Sequence, residues 1–196
     1  LPALASGPDR SLPEGFDAFY NLDYDQAINQ FEKLAQSDPG HADYQNFVAQ
    51  AILYREMYRV GALESELVSG NNPFLRRPKM NPPPEAERRF FQAIDTAMAI
   101  CQTRLKENPA DSEALYALGV AHGLRANYNF LVRKAWIDAL RDATAARKRH
   151  NRVVELNPGN YDARLVPGVH DYVVGSLPLF YKMLGFVAGF RGDREK

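Results

Sequence analysis

The side chains that could do chemistry in this 196-residue chain are few and scattered. A single cysteine, Cys101, admits no intrachain disulfide and no clustered thiolate site for zinc or iron–sulfur. It reads as a small core residue, because its helical face promises neither the exposure nor the positive setting that a reactive thiol needs. The four histidines, His41, His122, His150 and His170, show no spacing that would put two ligands on one helical face, so no metal is expected. No glycine run of the phosphate-cradling, dinucleotide-binding or nucleophile-elbow type occurs, and no nucleophile stands beside a base. Catalytic residues and cofactors are therefore not expected.

Two groupings remain. Arg147, Lys148, Arg149 and Arg152, with Arg133, Lys134 and Arg141, form a basic strip. Nucleic acid is disfavoured, because no aromatic residues interleave with the bases of the densest run to stack on nucleobases. The strip reads either as a contact for an acidic partner or as a solvated helix face paired at i, i+4 with Asp138, Asp142 and Glu155. Tyr128, Phe130, Trp136 and Tyr172, with Phe180 and Tyr181, would line a small-molecule pocket or pack as core.

These residues need elements to position them, and 22.1 kDa is the size of one domain able to bury roughly 70% of its unfolded surface. The 24 bases balance the 24 acids, but unevenly along the chain. Residues 1–70 hold eleven acids and four bases, and residues 71–196 hold thirteen acids and twenty bases, so the parts carry minus seven and plus seven. Such halves could steer two copies of the chain together.

Three similar segments organise the chain: Ser37-Asp38-Pro39-Gly40-His41-Ala42-Asp43, Glu107-Asn108-Pro109-Ala110-Asp111-Ser112-Glu113 and Leu156-Asn157-Pro158-Gly159-Asn160-Tyr161-Asp162. Each stops one helix, because a residue before proline leaves the helical region, and an Asp, Ser or Asn beyond it can cap the next. Apolar residues at helical spacing lie upstream, as Ala27, Phe31 and Leu34, then Ala97, Cys101 and Leu105, then Ala146, His150 and Val153. Others lie downstream, as Tyr44, Val48, Ala49 and Ile52, then Leu115, Leu118, Gly119 and His122, then Leu165, Gly168 and Tyr172. The unit is a helical hairpin.

On these residues the chain resembles the tetratricopeptide (TPR) family, whose pattern is W-x2-L-G-x2-Y, A-x3-F, then P over about 34 residues. Leu115-x2-Leu118-Gly119-x2-His122 matches the first helix, and Ala27-x3-Phe31 followed by Pro39 matches the second. Ala97-x3-Cys101 with Pro109 and Ala146-x3-His150 with Pro158 keep the small residue and lose the aromatic. The resemblance covers about residues 15 to 170 and implies an all-α, right-handed superhelix of antiparallel helix pairs with insertions, in a bacterial protein of this family. It implies a non-enzymatic scaffold that binds a protein or peptide within a larger assembly. First helices line the concave side of such a stack, which would carry Asn46, Gln50 and Leu53, Glu113, Tyr116 and Val120, and Asp162 with Arg164. Some members hold a peptide's terminal carboxylate there with Lys, Arg and Asn. This chain offers no cation at those positions apart from Arg164, so a carboxylate receptor is not expected. The alternative is a helical accessory protein of a transport or envelope system that holds an apolar solute in the aromatic pocket.

The junction prolines lie 70 and 49 residues apart, so two insertions are expected, a loop at about 69–88 carrying Arg76, Arg77 and Lys79 and a helical stretch at about 125–142. Residues 1–13 are expected to be a flexible lead, with Ala3-x-Ala5 pointing to a trimmed export signal and a periplasmic location against a cytoplasmic alternative, and 14–196 a single domain. Residues 172–190 hold thirteen apolar residues in nineteen, but Pro178, three glycines and Lys182 favour a buried end hairpin over membrane contact.

Overall fold

A computed structural model describes residues 11–63, 79–165 and 167–168. Among the described residues six α-helices run in order: α1 (Ser11–Tyr20), α2 (Tyr24–Ser37), α3 (Ala42–Arg59), α4 (Pro84–Glu107), α5 (Ser112–Tyr128) and α6 (Trp136–Leu156). A short 3-10 turn, Asp162–Arg164, follows, and no strand occurs among the described residues. The architecture is all-α and TPR-like. The first helix begins at Ser11, inside the lead expected to be flexible through residue 13.

The three junctions are built alike. The side-chain oxygens of Asp38, Asn108 and Asn157 accept the backbone N–H two residues on, from Gly40 at 3.2 Å, Ala110 at 3.1 Å and Gly159 at 3.2 Å. The N–H groups of the same three residues close the preceding helix on Leu34, Arg104 and Val153. An Asx residue before proline thus ends a helix twice over, by ring sterics and by offering a competing side-chain acceptor. Capping on the far side differs. Asp111 accepts from Ala114 N at 3.0 Å, and Asn160 from Ala163 N at 3.1 Å. Helix α3 starts at Ala42 behind His41, which makes no capping bond, so Asp43 lies inside the first turn rather than capping it.

Close approach within each hairpin depends on one small residue. A Cβ on Gly15 would lie 2.5 Å from Phe31 Cε1, and one on Gly119 would lie 2.3 Å from His150 Cε1. At the corresponding register of the middle hairpin, Ala49 and Cys101 are both fully buried. A large ring opposes each glycine, as close packing requires.

The helices form two layers. Helices α1, α3 and α5 lie side by side: Phe16 meets Phe47 with ring centroids 4.9 Å apart, Phe19 meets Tyr54 at 5.2 Å, and Asn46 Nδ2 donates to Ala117 O at 3.0 Å. Helices α2, α4 and α6 pack behind them and make little direct contact with one another. Between α2 and α4 this leaves a polar groove of about 360 Å³ floored by Val48 and bridged by the Arg89–Glu32 ion pair at 2.5 Å. Among the first helices, α3 and α5 are in direct contact, so that pair is the candidate inner face of the stack.

Helix α4 starts at Pro84, which needs no N–H partner at that position, so the helix takes over the last residues expected in the 69–88 loop. Arg76 and Arg77 lie outside the described residues. The 125–142 stretch lengthens α5 through a π-turn, Asn129–Arg133, before Lys134 adopts a left-handed conformation at φ 56° and α6 begins. No helix among the described residues is long and apolar enough to cross a membrane. Residues 1–10 and 172–190, with the expectations placed on them, lie outside the described residues.

Candidate binding face

The residues expected on the concave side divide into three groups. Asn46 and Leu53 are each 1% exposed and do not line a surface. Asn46 is spent on the α3–α5 contact through Ala117 O, and Leu53 belongs to the core. Their expected exposure is corrected by the closeness of the two first helices. Gln50, Tyr116 and Val120 are half-buried, as is Tyr54, and together they make a mixed polar and apolar strip across α3 and α5. Open space surrounds the Cα of Gly123 one turn beyond Val120. At the junction end Glu113 and Asp162 are exposed, and Arg164 turns back to donate to Pro158 O at 3.0 Å and lies over the Tyr161 ring.

Electrostatics singles out Asp43 at this end. Burial raises its carboxyl above the usual range, and Glu113 adds to the effect, against opposing pulls from His41, the Asn46 amide and Arg104. Its one ion-pair contact among the described residues is His41 Nδ1 at 3.9 Å. Asp111 behaves oppositely: burial pushes it up, but the Ala114 N–H and the Arg104 guanidinium hold its carboxyl below the usual range. Arg104 reaches Asp111 at 2.8 Å and Glu113 at 3.2 Å and is committed to them. The Tyr116 phenol is raised by burial and by the nearby charges of Asp162 and Asp43.

Three residues of the basic strip, Arg133, Arg141 and Arg152, form local ion pairs. Arg141 meets Asp138 at 3.5 Å and Arg152 meets Glu155 at 2.7 Å, both three residues apart rather than four. Asp142 does not pair along α6; it points inward, where His122 Nδ1 lies 2.9 Å away and Arg125 Nη2 and Nε lie at 2.7 and 2.9 Å. Arg133 pairs with Glu87 and sits over the Phe91 ring at 4.1 Å. Lys134 lies 6.0 Å from the Trp136 ring, and burial lowers its ammonium below the usual range. Arg147 and Arg149 are half-buried, and Lys148 is exposed.

Of the described residues of the expected pocket, Tyr128 packs apart from the Phe130–Trp136 pair. Tyr128 is fully buried, stacked on Phe90 at 4.2 Å and edge-on to Phe91 at 5.2 Å. Phe130 instead meets Trp136 at 4.7 Å, and Trp136 is 42% exposed. Tyr172 lies outside the described residues. Tyr128 is core rather than pocket wall because α4 arrives directly against it. Burial also pushes the Cys101 thiol up to about 11, which fits the core role expected for it.

No family model matches the chain, and no curated protein matches it. Among solved structures, the first TPR domain of Spaghetti (RPAP3) bound to the HSP90 peptide SRMEEVD is similar over 85% of this chain and 94% of that one, at 19% identity and a TM-score of 0.39.

Proposed function

We propose that this chain is a non-enzymatic scaffold that binds an extended protein segment along the inner face of α3 and α5. The observation that supports this is the half-buried strip of Gln50, Tyr54, Tyr116 and Val120 across α3 and α5, the first helices that contact each other directly. An extended peptide needs donors and acceptors for its backbone and apolar or aromatic walls for its side chains, and this strip supplies both. The second helices stand behind as rigid support. An apolar solute in an aromatic pocket has no comparable support, since Tyr128 is sealed between Phe90 and Phe91, away from Trp136.

Panning a random peptide display library on the full chain tests the reading. Selected peptides should lose about tenfold or more in affinity with Gln50→Lys or Tyr116→Ala and little with Gln36→Lys in the outer groove, a tenfold loss being ~1.4 kcal/mol. Peptides sensitive to Gln36→Lys alone would place binding on the outer layer and sink the proposal.

A further inference from the structure

Eight large apolar side chains stand exposed among the described residues, and six of them gather at one end of the stack. Tyr20 closes α1, Leu22 lies in the turn to α2, Tyr58 and Val60 close α3, and Trp136 and Ile137 open α6, all between 42% and 76% exposed. Three contacts hold these helix ends together: Phe19 with Tyr54 between α1 and α3, Arg59 with Asn81 O just ahead of α4, and Tyr128 on Phe90 between α5 and α4. We propose that this end is a self-association face, through which two copies of the chain pair about a two-fold axis. The pairing does not rest on the peptide-binding reading, whose strip lies along α3 and α5 rather than across their ends.

The end carries two apolar patches with opposite charge around them. Beside Tyr20, Leu22 and Tyr58 stand the carboxylates of Asp17, Asp23 and Asp25. Arg55 answers Asp25 at 2.7 Å, whereas no cation lies within ion-pair distance of Asp17 or Asp23 among the described residues. Beside Trp136 and Ile137 stand Arg133, Lys134 and Arg141. Glu87 answers Arg133, but Arg141 meets Asp138 only at 3.5 Å in an exposed pair of little worth. In a two-fold pair the acid-flanked patch of each copy faces the base-flanked patch of the other, so one complementary contact is made twice. The minus seven and plus seven parts of the chain steer two copies into that same arrangement. Both patches are presented ready-made. Tyr20 and Tyr58 rest on the buried Phe19 and Tyr24 at 5.5 and 5.9 Å, and Trp136 rests on Phe130 at 4.7 Å, so little side-chain ordering remains for association. Leu22 holds a left-handed conformation at φ 66°, which places an apolar side chain in water where asparagine or glycine would meet the turn with less strain.

Sedimentation velocity on the full chain across about two decades of concentration tests the pairing. A reversible monomer–dimer equilibrium that stops at the dimer and weakens with salt is expected. Asp17→Lys and Arg141→Glu should each weaken it about tenfold or more, because each sets like charges against one another at both contacts. An equimolar mixture of these two variants should dimerise as well as the unsubstituted chain, since opposite charges then meet at both contacts. Lys106→Glu, exposed in the last turn of α4 at the other end, should leave the equilibrium within about twofold. Leu22→Asn should weaken the dimer while keeping or raising the thermal midpoint of the dilute chain, which separates a contact role from a folding role. A chain that stays monomeric, a mixture no better than its components, or growth past the dimer would overturn the pairing. Binding of phosphatidylcholine vesicles by a chain that does not self-associate would assign the same end to a bilayer surface and overturn it too.

Discussion

Gly119 and His150 occupy one another's space. The imidazole lies where a Gly119 side chain would be, its Nδ1 donating to Ala146 O at 2.9 Å and its Nε2 buried without a partner. Gly119→Ala should therefore cost about 1–3 kcal/mol in denaturant unfolding, because the ring is hemmed in on both sides. In a double variant with His150→Ala the added cost of the alanine at 119 should nearly vanish. The same ring makes stability depend on pH. Burial holds its folded pKa below the ordinary 6.5, so the unfolded chain binds the extra proton first and stability falls as pH drops through 6.5. His150→Phe should abolish that part of the slope, measured between pH 7.5 and 5.5, and keep the fold, since Phe31 packs over Gly15 in the same way. An unchanged slope would show that another group titrates there.

At the scale of elements, Asp142 decides how α5, the π-turn and α6 meet. Burial alone would push its carboxyl up, but hydrogen bonds from His122 and Arg125 outweigh it and hold the group below its usual range. Its contribution to stability is thus present above the unfolded value near 3.9 and is lost as pH falls through the lower folded value. Asp142→Ala should cost about 3 kcal/mol, because it strands a guanidinium and an imidazole in a half-buried setting, whereas Asp138→Ala on the exposed side should cost under about 0.5. Comparable losses in chemical denaturation would refute this difference. The three Asx-Pro junctions were legible in the sequence because proline and its preceding Asx impose the same local geometry wherever they occur. The break at Lys134 was not, since no proline or glycine marks it; tertiary bonds around Asp142 and the Ala135 N–H to Asn129 O make a lysine take a glycine's conformation. Asp142 differs from the i, i+4 pairing expected of it for a related reason: helical spacing gives a residue's neighbours on its own helix, not which acid a facing helix claims.

At the scale of the whole molecule, stability in a stack of hairpins is a sum of unit terms and nearest-neighbour interfaces, so weakening one interface should uncouple what lies on either side. Asn46 is the polar contact between α3 and α5, and its placement was invisible in the sequence because an amide on a helix reads as solvent-facing until a neighbouring backbone comes within 3.0 Å. Asn46→Ala removes the donor and leaves the Ala117 carbonyl buried without it, at a cost of about 1–3 kcal/mol. The acceptor loss falls at the interface, so the damage should be unequal. Amide exchange should quicken in α5 and α6, which keep only the α4 contact and the edge of α3, and change little in α1 and α2, whose Phe16, Phe31 and Phe47 cluster is untouched. The urea transition should broaden as the third hairpin opens ahead of the first two. Uniform acceleration across all six helices would mean that the stack unfolds as one unit and that the Asn46 contact contributes no separate coupling.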